Sequence, residues 1–260
     1  MPPLFPKTTI IGPGLIGGSL AKAAKEKGLF GHVTGISRNE KNLKRGMELG
    51  VIDTYTTNLK EGIHNSELIV VATPPCVIVE TIEKIAPHLN NGCIITDVGS
   101  VKEEIVKRVE TFIPKGIHFV GGHPIAGTEN SGIDAAISTL FVGHKCILTP
   151  SSSTNGNALD KVKVMWEQVG CQVILMDVEH HDKTFAAVSH LPHIIAFALI
   201  NGIVRLNDSE AKLTYSAGGL KDFTRIAASH PIMWKDISLM NRNNLLNSIV
   251  SFQSSLDMIT

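Results

Sequence analysis

The sequence predicts an α/β domain with a doubly wound, mostly parallel sheet over residues 1–176, followed by an all-α domain over residues 177–260. Three observations predict it. Short β-branched runs alternate with charged, helix-periodic stretches from Lys7 to about Met176. A glycine-rich turn sits at the first strand-to-helix junction, and strand-like runs stop after Asp177. Alternating strands and helices give parallel pairing, because each crossover helix returns the chain to the same end of the sheet.

Taken in order, the predicted strands are Thr8–Ile11, Val33–Ile36, Leu68–Val71, Cys93–Thr96, Ile117–Val120, Lys145–Leu148 and Gln172–Leu175. They are rich in Val, Ile and Thr, which fit a pleated, buried surface. The intervening helices are predicted at Leu15–Lys27, Val77–Leu89, Val101–Phe112 and Leu159–Val169, with a polar loop over Ser151–Gly156. From His180 onward apolar residues recur every three or four positions, as in Phe185, Val188, Leu191, Ile194, Ile195, Ala198 and Leu199. About 80 residues close a core poorly alone, so these apolar faces predict packing against a second copy, a homodimer.

Composition narrows the functional classes. The 260 residues carry 24 Lys+Arg against 24 Asp+Glu, a formal net charge of zero. That balance argues against a dedicated nucleic-acid or anionic-membrane binder, which uses a basic excess to displace counterions. With 43 % apolar and 18 % charged residues the chain is globular, not disordered. Met1–Lys7 lacks the apolar core of a signal peptide, and no stretch holds about 18 uninterrupted apolar residues, so a cytoplasmic protein without a membrane partner is expected. Cys76, Cys93, Cys146 and Cys171 form no Cys-x-x-Cys pair and read as small buried hydrophobes.

The first chemical signal is Gly12-Pro13-Gly14-Leu15-Ile16-Gly17-Gly18-Ser19, between a predicted strand and a predicted helix. Gly12 permits a tight turn, Gly14 lets a pyrophosphate approach the backbone, and Gly17 lets helix and strand pack closely. The opening amides, from Leu15 and Ile16 onward, would face the anion. The context makes this a Rossmann-type dinucleotide turn, although a turn that merely needs glycine reads the same in isolation. At the end of the second strand, where an NAD-binding fold offers an acid to the ribose, the chain reads Ser37-Arg38. A guanidinium suits a ribose 2′-phosphate, so NADP is favoured, with NAD as the alternative.

Three clusters fall at or beyond predicted strand ends or in the helical part. In Asp97-Val98-Gly99-Ser100-Val101-Lys102-Glu103, Ser100 is either catalytic or, with Glu103, half of a capping box. In Gly121-Gly122-His123-Pro124, the glycines and proline predict a loop, which makes His123 a functional candidate. His190 and His193 share a helical face, with Pro192 marking a kink; no carboxylate or thiolate at ligand spacing completes a metal site with them, and none is expected. Arg225 lies three residues after Asp222, either an exposed intrahelical ion pair or, in its apolar, glycine-flanked setting, a pocket-wall cation awaiting an anion.

In family order, Gly12–Ser19, Asp97–Lys102, Gly122–Glu129, Ser189–His193 and Asp222–Asp236 resemble the prephenate and arogenate dehydrogenases of tyrosine biosynthesis, over nearly the whole chain. The resemblance implies a cofactor domain, a helical dimerisation domain and an oxidative decarboxylation. It implies His123 as proton acceptor with Ser100 beside it, Arg225 and His193 on substrate carboxylates, Glu129 and Asp222 as gating or orienting residues, and Trp234 as a wall. Prephenate is the favoured substrate and arogenate the alternative, since NADP preference resembles arogenate enzymes while histidine at position 193 resembles the prephenate type. Two rivals stay open. A β-hydroxyacid dehydrogenase would use a lysine such as Lys183 on the first interdomain helix, and a non-catalytic NADP sensor would need neither His123 nor Arg225.

Overall fold

The computed structural model describes residues 2–128, 130–208 and 213–260. Residue contacts divide the chain into two compact units, 1–179 and 180–260.

In the first unit, β1 (Phe5–Ile11) leads into α1 (Leu15–Glu26), and β2 (Phe30–Ile36) into α2 (Glu40–Glu48). There follow β3 (Thr54–Thr56), α3 (Leu59–Gly62), β4 (Leu68–Val71), α4 (Pro75–Ile85), β5 (Ile94–Asp97), α5 (Glu103–Phe112), β6 (His118–Ile125), β7 (Lys145–Thr149), α6 (Gly156–Gln168) and β8 (Gln172–Leu175). The eight strands form one sheet in the order β3-β2-β1-β4-β5-β6-β7-β8, and every pairing is parallel except β6 with β7. The order reverses direction between β1 and β4, the point outside whose carboxyl ends a doubly wound sheet opens a crevice.

Leu68, Ile69, Val70 and Val71 of β4 are all fully buried, which is why this central strand is apolar without alternation. Leu20, Ala21 and Ala24 of α1 pack into the same core, as do Val162, Met165 and Trp166 of α6. Trp166 meets Phe141 edge to face at 5.1 Å. Elements absent from the sequence reading are the weakly apolar ones. β3 has three residues, and α2, rich in charge, buries only Leu43 and Gly46.

Two expectations are corrected here. The sequence predicts a strand ending at Val120 and a loop around His123, yet β6 continues to Ile125. Its first part, His118–Val120, pairs with β5, and Gly121–Ile125 pairs with β7, His123 opposite Ile147. The antiparallel partner satisfies backbone groups beyond the end of β5, so the glycines and proline are accommodated in extended chain. The cysteine reading holds for Cys93, Cys146 and Cys171, but Cys76, in the first turn of α4, is exposed.

The described part of the second unit consists of helices joined by short turns, with no strand among the described residues. α7 (Val178–Phe185) straddles the division between units and continues through a π-helical turn, Ala186–His190, into α8 (Leu191–Val204). Pro192 has no N–H for the preceding turn, and a wider turn directly upstream adjusts to that missing donor. α9 (Gly218–Ala227), α10 (Pro231–Met240) and α11 (Arg242–Asp257) complete it. The unbroken helix Val178–Val204 is long and apolar enough to cross a membrane by length and composition alone, with a mean hydropathy of 1.6 and only 11 % of its most apolar window buried. The expectation of no such stretch rested on uninterrupted apolar runs, and Ser189, His190, His193 and Asn201 interrupt this one.

Candidate active site

The glycine turn has the geometry its sequence implies. Gly12 takes a positive φ of 85°, and a Cβ there would lie 2.7 Å from the Ala72 carbonyl oxygen. The Gly12 amide donates to Ile36, and the Ala72 amide to Ile11, so the ends of β1, β2 and β4 converge at this turn. A Cβ on Gly17 would come within 2.9 Å of Ala72 and Ile10, the close helix-to-sheet approach. Gly14 differs: a Cβ there meets nothing nearer than 4.0 Å, and no side chain caps α1. An uncapped helix start, whose first amides at Leu15 and Ile16 have no intrahelical acceptor, beside open space suits a dinucleotide pyrophosphate.

At the end of β2, Ser37 Oγ accepts from the Asn39 amide at 3.2 Å. Asn39 caps α2, and Asn42 Nδ2 donates to the Pro13 carbonyl at 2.9 Å, tying α2 to the glycine turn. Arg38 is exposed and makes no ion pair among the described residues, while the nearest acid, Glu40, is held by Lys44 at 3.1 Å. The β2 end therefore presents an uncommitted guanidinium and no uncommitted carboxylate.

Between the end of β5 and the middle of β6 lies a feature that the sequence does not single out. Asp97, the last residue of β5, is fully buried and pairs with the equally buried ammonium of Lys102. Its Oδ2 also accepts the Gly99 amide at 2.8 Å, and its Oδ1 accepts the Gly122 amide at 3.1 Å. Ser100 follows Gly99 and His123 follows Gly122; both side chains are half-buried. The capping-box alternative for Ser100 is not realised, because α5 begins at Glu103 with Lys102 at the cap and no side-chain cap bond. Cys146 of β7 lies beside the His123 backbone, and burial pushes its thiol well above the usual range.

In the helical unit, His193 stacks on Trp234 with ring centroids 3.5 Å apart and planes 18° from parallel, and His190 meets the same indole edge-on at 6.1 Å. The two histidines thus share one side of the helix, as their spacing implies. His193 Nδ1 donates to the Ser189 carbonyl at 3.0 Å. Burial holds its imidazole below the ordinary histidine value; the Ser189 bond opposes this and the Arg225 charge adds to it. With Nδ1 carrying that proton, Nε2 of the neutral ring can only accept, so a carboxylate contact requires the imidazolium. Beneath this layer Asn241 Nδ2 donates to the Asp182 carbonyl at 2.7 Å and lies 3.2 Å from His190 Nδ1. His181 is paired with the Asp182 carboxylate, so this pair is engaged inside the unit.

Arg225 and Asp222, on α9, are both exposed and make no ion pair with each other, so the intrahelical-pair reading fails. Among the described residues of the helical unit, α9 packs on α8 and buries none of its own residues, so Arg225 has no dry wall around it within that unit. Trp234 is buried, with its indole N–H lacking a partner among the described residues. Glu129 lies outside the described residues. Asp97, Lys102, Asn42 and Asn241 are not singled out by the sequence; Asp97, Asn42 and Asn241 each bond a residue 25 or more positions away, and Lys102 is engaged through Asp97.

A family profile described as the nucleotide-binding domain of prephenate dehydrogenase matches residues 20–175, and one described as its dimerization domain matches residues 177–260. The cyclohexadienyl dehydrogenase of Zymomonas mobilis is 37 % identical over 97 % of this chain and 87 % of its own length. The prephenate dehydrogenase of Bacillus subtilis is 34 % identical over 97 % of this chain and 69 % of its own. Among solved structures, that of Aquifex aeolicus prephenate dehydrogenase in complex with hydroxyphenyl propionate and NAD+ superposes with a TM-score of 0.92, at 39 % identity, covering 97 % of this chain and 88 % of that one. With both halves matched in order and the same architecture in three dimensions, the chain belongs to the prephenate dehydrogenase family of oxidoreductases.

Proposed function

We propose that this chain oxidises prephenate to 4-hydroxyphenylpyruvate and CO2 at the expense of a nicotinamide cofactor. The observation that carries the reading is the family match across both halves of the chain. A nicotinamide cofactor held by the turn Gly12–Gly17 and the β2 end would supply the hydride acceptor for ring C4. His123 takes the C4 hydroxyl proton on its imidazole, assisted by Ser100, and positioned acid–base help of this kind contributes roughly 10²- to 10⁴-fold in rate. Breaking the C1–carboxylate bond then releases CO2 and sends the bonding pair through the ring to the C4 oxygen, which takes a proton back as the phenol. Arg225 and the His193 imidazolium bind the carboxylates, Asp222 and Glu129 orient, and Trp234 supports His193 through the stack.

NADP is the preferred cofactor in this proposal, supported by the uncommitted Arg38 beside Ser37. NAD, present in the Aquifex complex, is the alternative. Arogenate is the second substrate reading, since NADP preference accompanies it and the Zymomonas relative carries the broader cyclohexadienyl name. The exposed apolar helix Val178–Val204 and the family's dimerization domain support a homodimer formed by the helical units.

The test is a turnover assay with prephenate and arogenate, each with NAD and NADP. Reduced cofactor from prephenate is expected, and silence in all four mixtures overturns the proposal. His123→Asn is expected to keep cofactor affinity and lose about 10²-fold or more in kcat. A non-catalytic sensor would be indifferent to that change.

A further inference from the structure

Asp97 and Lys102 form a buried ion pair that no step of the proposed chemistry uses. Such a pair is a poor stabilising device, because removing both charges from water offsets most of their attraction and a well-packed apolar pair serves stability as well. The hydrogen bonds around the pair indicate another role. The two oxygens of the Asp97 carboxylate hold two amides from separate segments, Gly99 at 2.8 Å and Gly122 at 3.1 Å. Gly99 precedes Ser100, and Gly122 precedes His123. One carboxylate thus fixes the backbone immediately before each of the two side chains placed at the reacting hydroxyl.

The packing around the pair leads to the same place. A Cβ on Gly122 would lie 2.9 Å from the Asp97 carbonyl oxygen, and one on Gly99 the same distance from Asp97 Oδ2. A Cβ on Gly121 would lie 2.6 Å from Thr149 Oγ1 and 3.6 Å from the Lys102 stem. Gly99 and Gly122 are thus held against the side chain and the backbone of Asp97, while the tight contact at Gly121 is with Thr149. Lys102 places an opposite charge against the same carboxylate, with both side chains fully buried.

We propose that Asp97 is a positioning residue for Ser100 and His123, with Lys102 as its buried counter-charge. The inference rests on the assignment of His123 and Ser100 to the proton-transfer step. A displacement of about 1 Å in such groups costs on the order of 10²-fold in rate without altering binding elsewhere.

The test uses the full chain with Asp97→Asn combined with Lys102→Met, which removes both charges while keeping similar volume. The asparagine oxygen can replace only one carboxylate oxygen, so one amide loses its acceptor. The expected result is a kcat lowered about 10- to 100-fold, with cofactor KM within about twofold of the parent. A kcat within about twofold of the parent, or a fall in kcat matched by an equal loss of cofactor affinity, overturns the inference. Should the variant not fold, amide exchange on the unsubstituted protein decides. Gly99 and Gly122 are expected to exchange at least about 10³-fold more slowly than unstructured amides, and fast exchange at either overturns the clamp. Turnover that His123→Asn abolishes and the double variant retains removes this inference alone. No turnover by the unsubstituted chain removes the functional reading itself.

Discussion

Arg38 and His193 are the residues whose chemistry is set most locally. Arg38 stands at the end of β2 with no ion pair among the described residues, so an added 2′-phosphate would be its first strong partner. Replacing it by alanine is expected to raise the NADP KM about 10- to 100-fold, the worth of a charge-assisted hydrogen bond, and to leave the NAD KM nearly unchanged. Equal effects on both cofactors would show that Arg38 does not read the phosphate. His193 titrates below the ordinary value of 6.5, chiefly because it is buried against Trp234. Its folded pKa lies below its unfolded one, so its contribution to stability is fully present above about 6.5 and is lost as pH falls through the folded value. Binding runs the other way, because a carboxylate contact needs the proton on Nε2. The substrate KM is therefore expected to rise as pH rises through the His193 pKa, and His193→Gln to flatten that limb; parallel profiles for the two proteins would remove His193 from the carboxylate.

At the scale of elements, the junction of β1 with α1 separates packing from binding. Gly17→Ala places a Cβ 2.9 Å from Ala72 and Ile10 and forces the helix off the sheet. A loss of about 1–3 kcal/mol in denaturant unfolding is expected, with weakened cofactor binding as a consequence. Gly14→Ala meets no atom nearer than 4.0 Å, so stability should change by less than about 1 kcal/mol while cofactor affinity falls because the Cβ occupies the phosphate approach. If both substitutions act alike on stability, the division of labour assigned to these glycines is wrong. The same reasoning explains β6. Its glycines signal close approach of neighbouring strands, Gly121 to Thr149 and Gly122 to the Asp97 backbone, not a loop, and a periodicity scan cannot tell these apart because the partners sit about 25 residues away in the chain.

For the molecule as a whole, the helical unit leaves Val188, Leu199, Val204, Leu239 and Val250 exposed, more apolar surface than a lone unit of this size keeps in water. Sedimentation equilibrium is expected to give twice the chain mass, and Leu199→Glu to shift the population toward monomer, with a loss of thermal stability that depends on protein concentration. A monomer at all concentrations, or flotation of the purified protein with lipid vesicles, would assign that surface to something other than a second copy.

The strand-and-helix alternation, the glycine turn and the five family motifs were legible in the sequence because each is written in neighbouring residues and depends on local conformation or short spacing. Hence the doubly wound sheet, the helical second half, and the turn and packing roles of Gly12 and Gly17 follow from the chain alone. Tertiary structure decided the rest. It extended β6 through His123 by supplying β7 as a partner, denied Ser100 its capping role, left Arg225 exposed on its helix, and buried Asp97 with Lys102 between the segments that carry Ser100 and His123. Those outcomes depend on which distant groups meet in a low-dielectric interior, and no local pattern in a single sequence encodes that encounter.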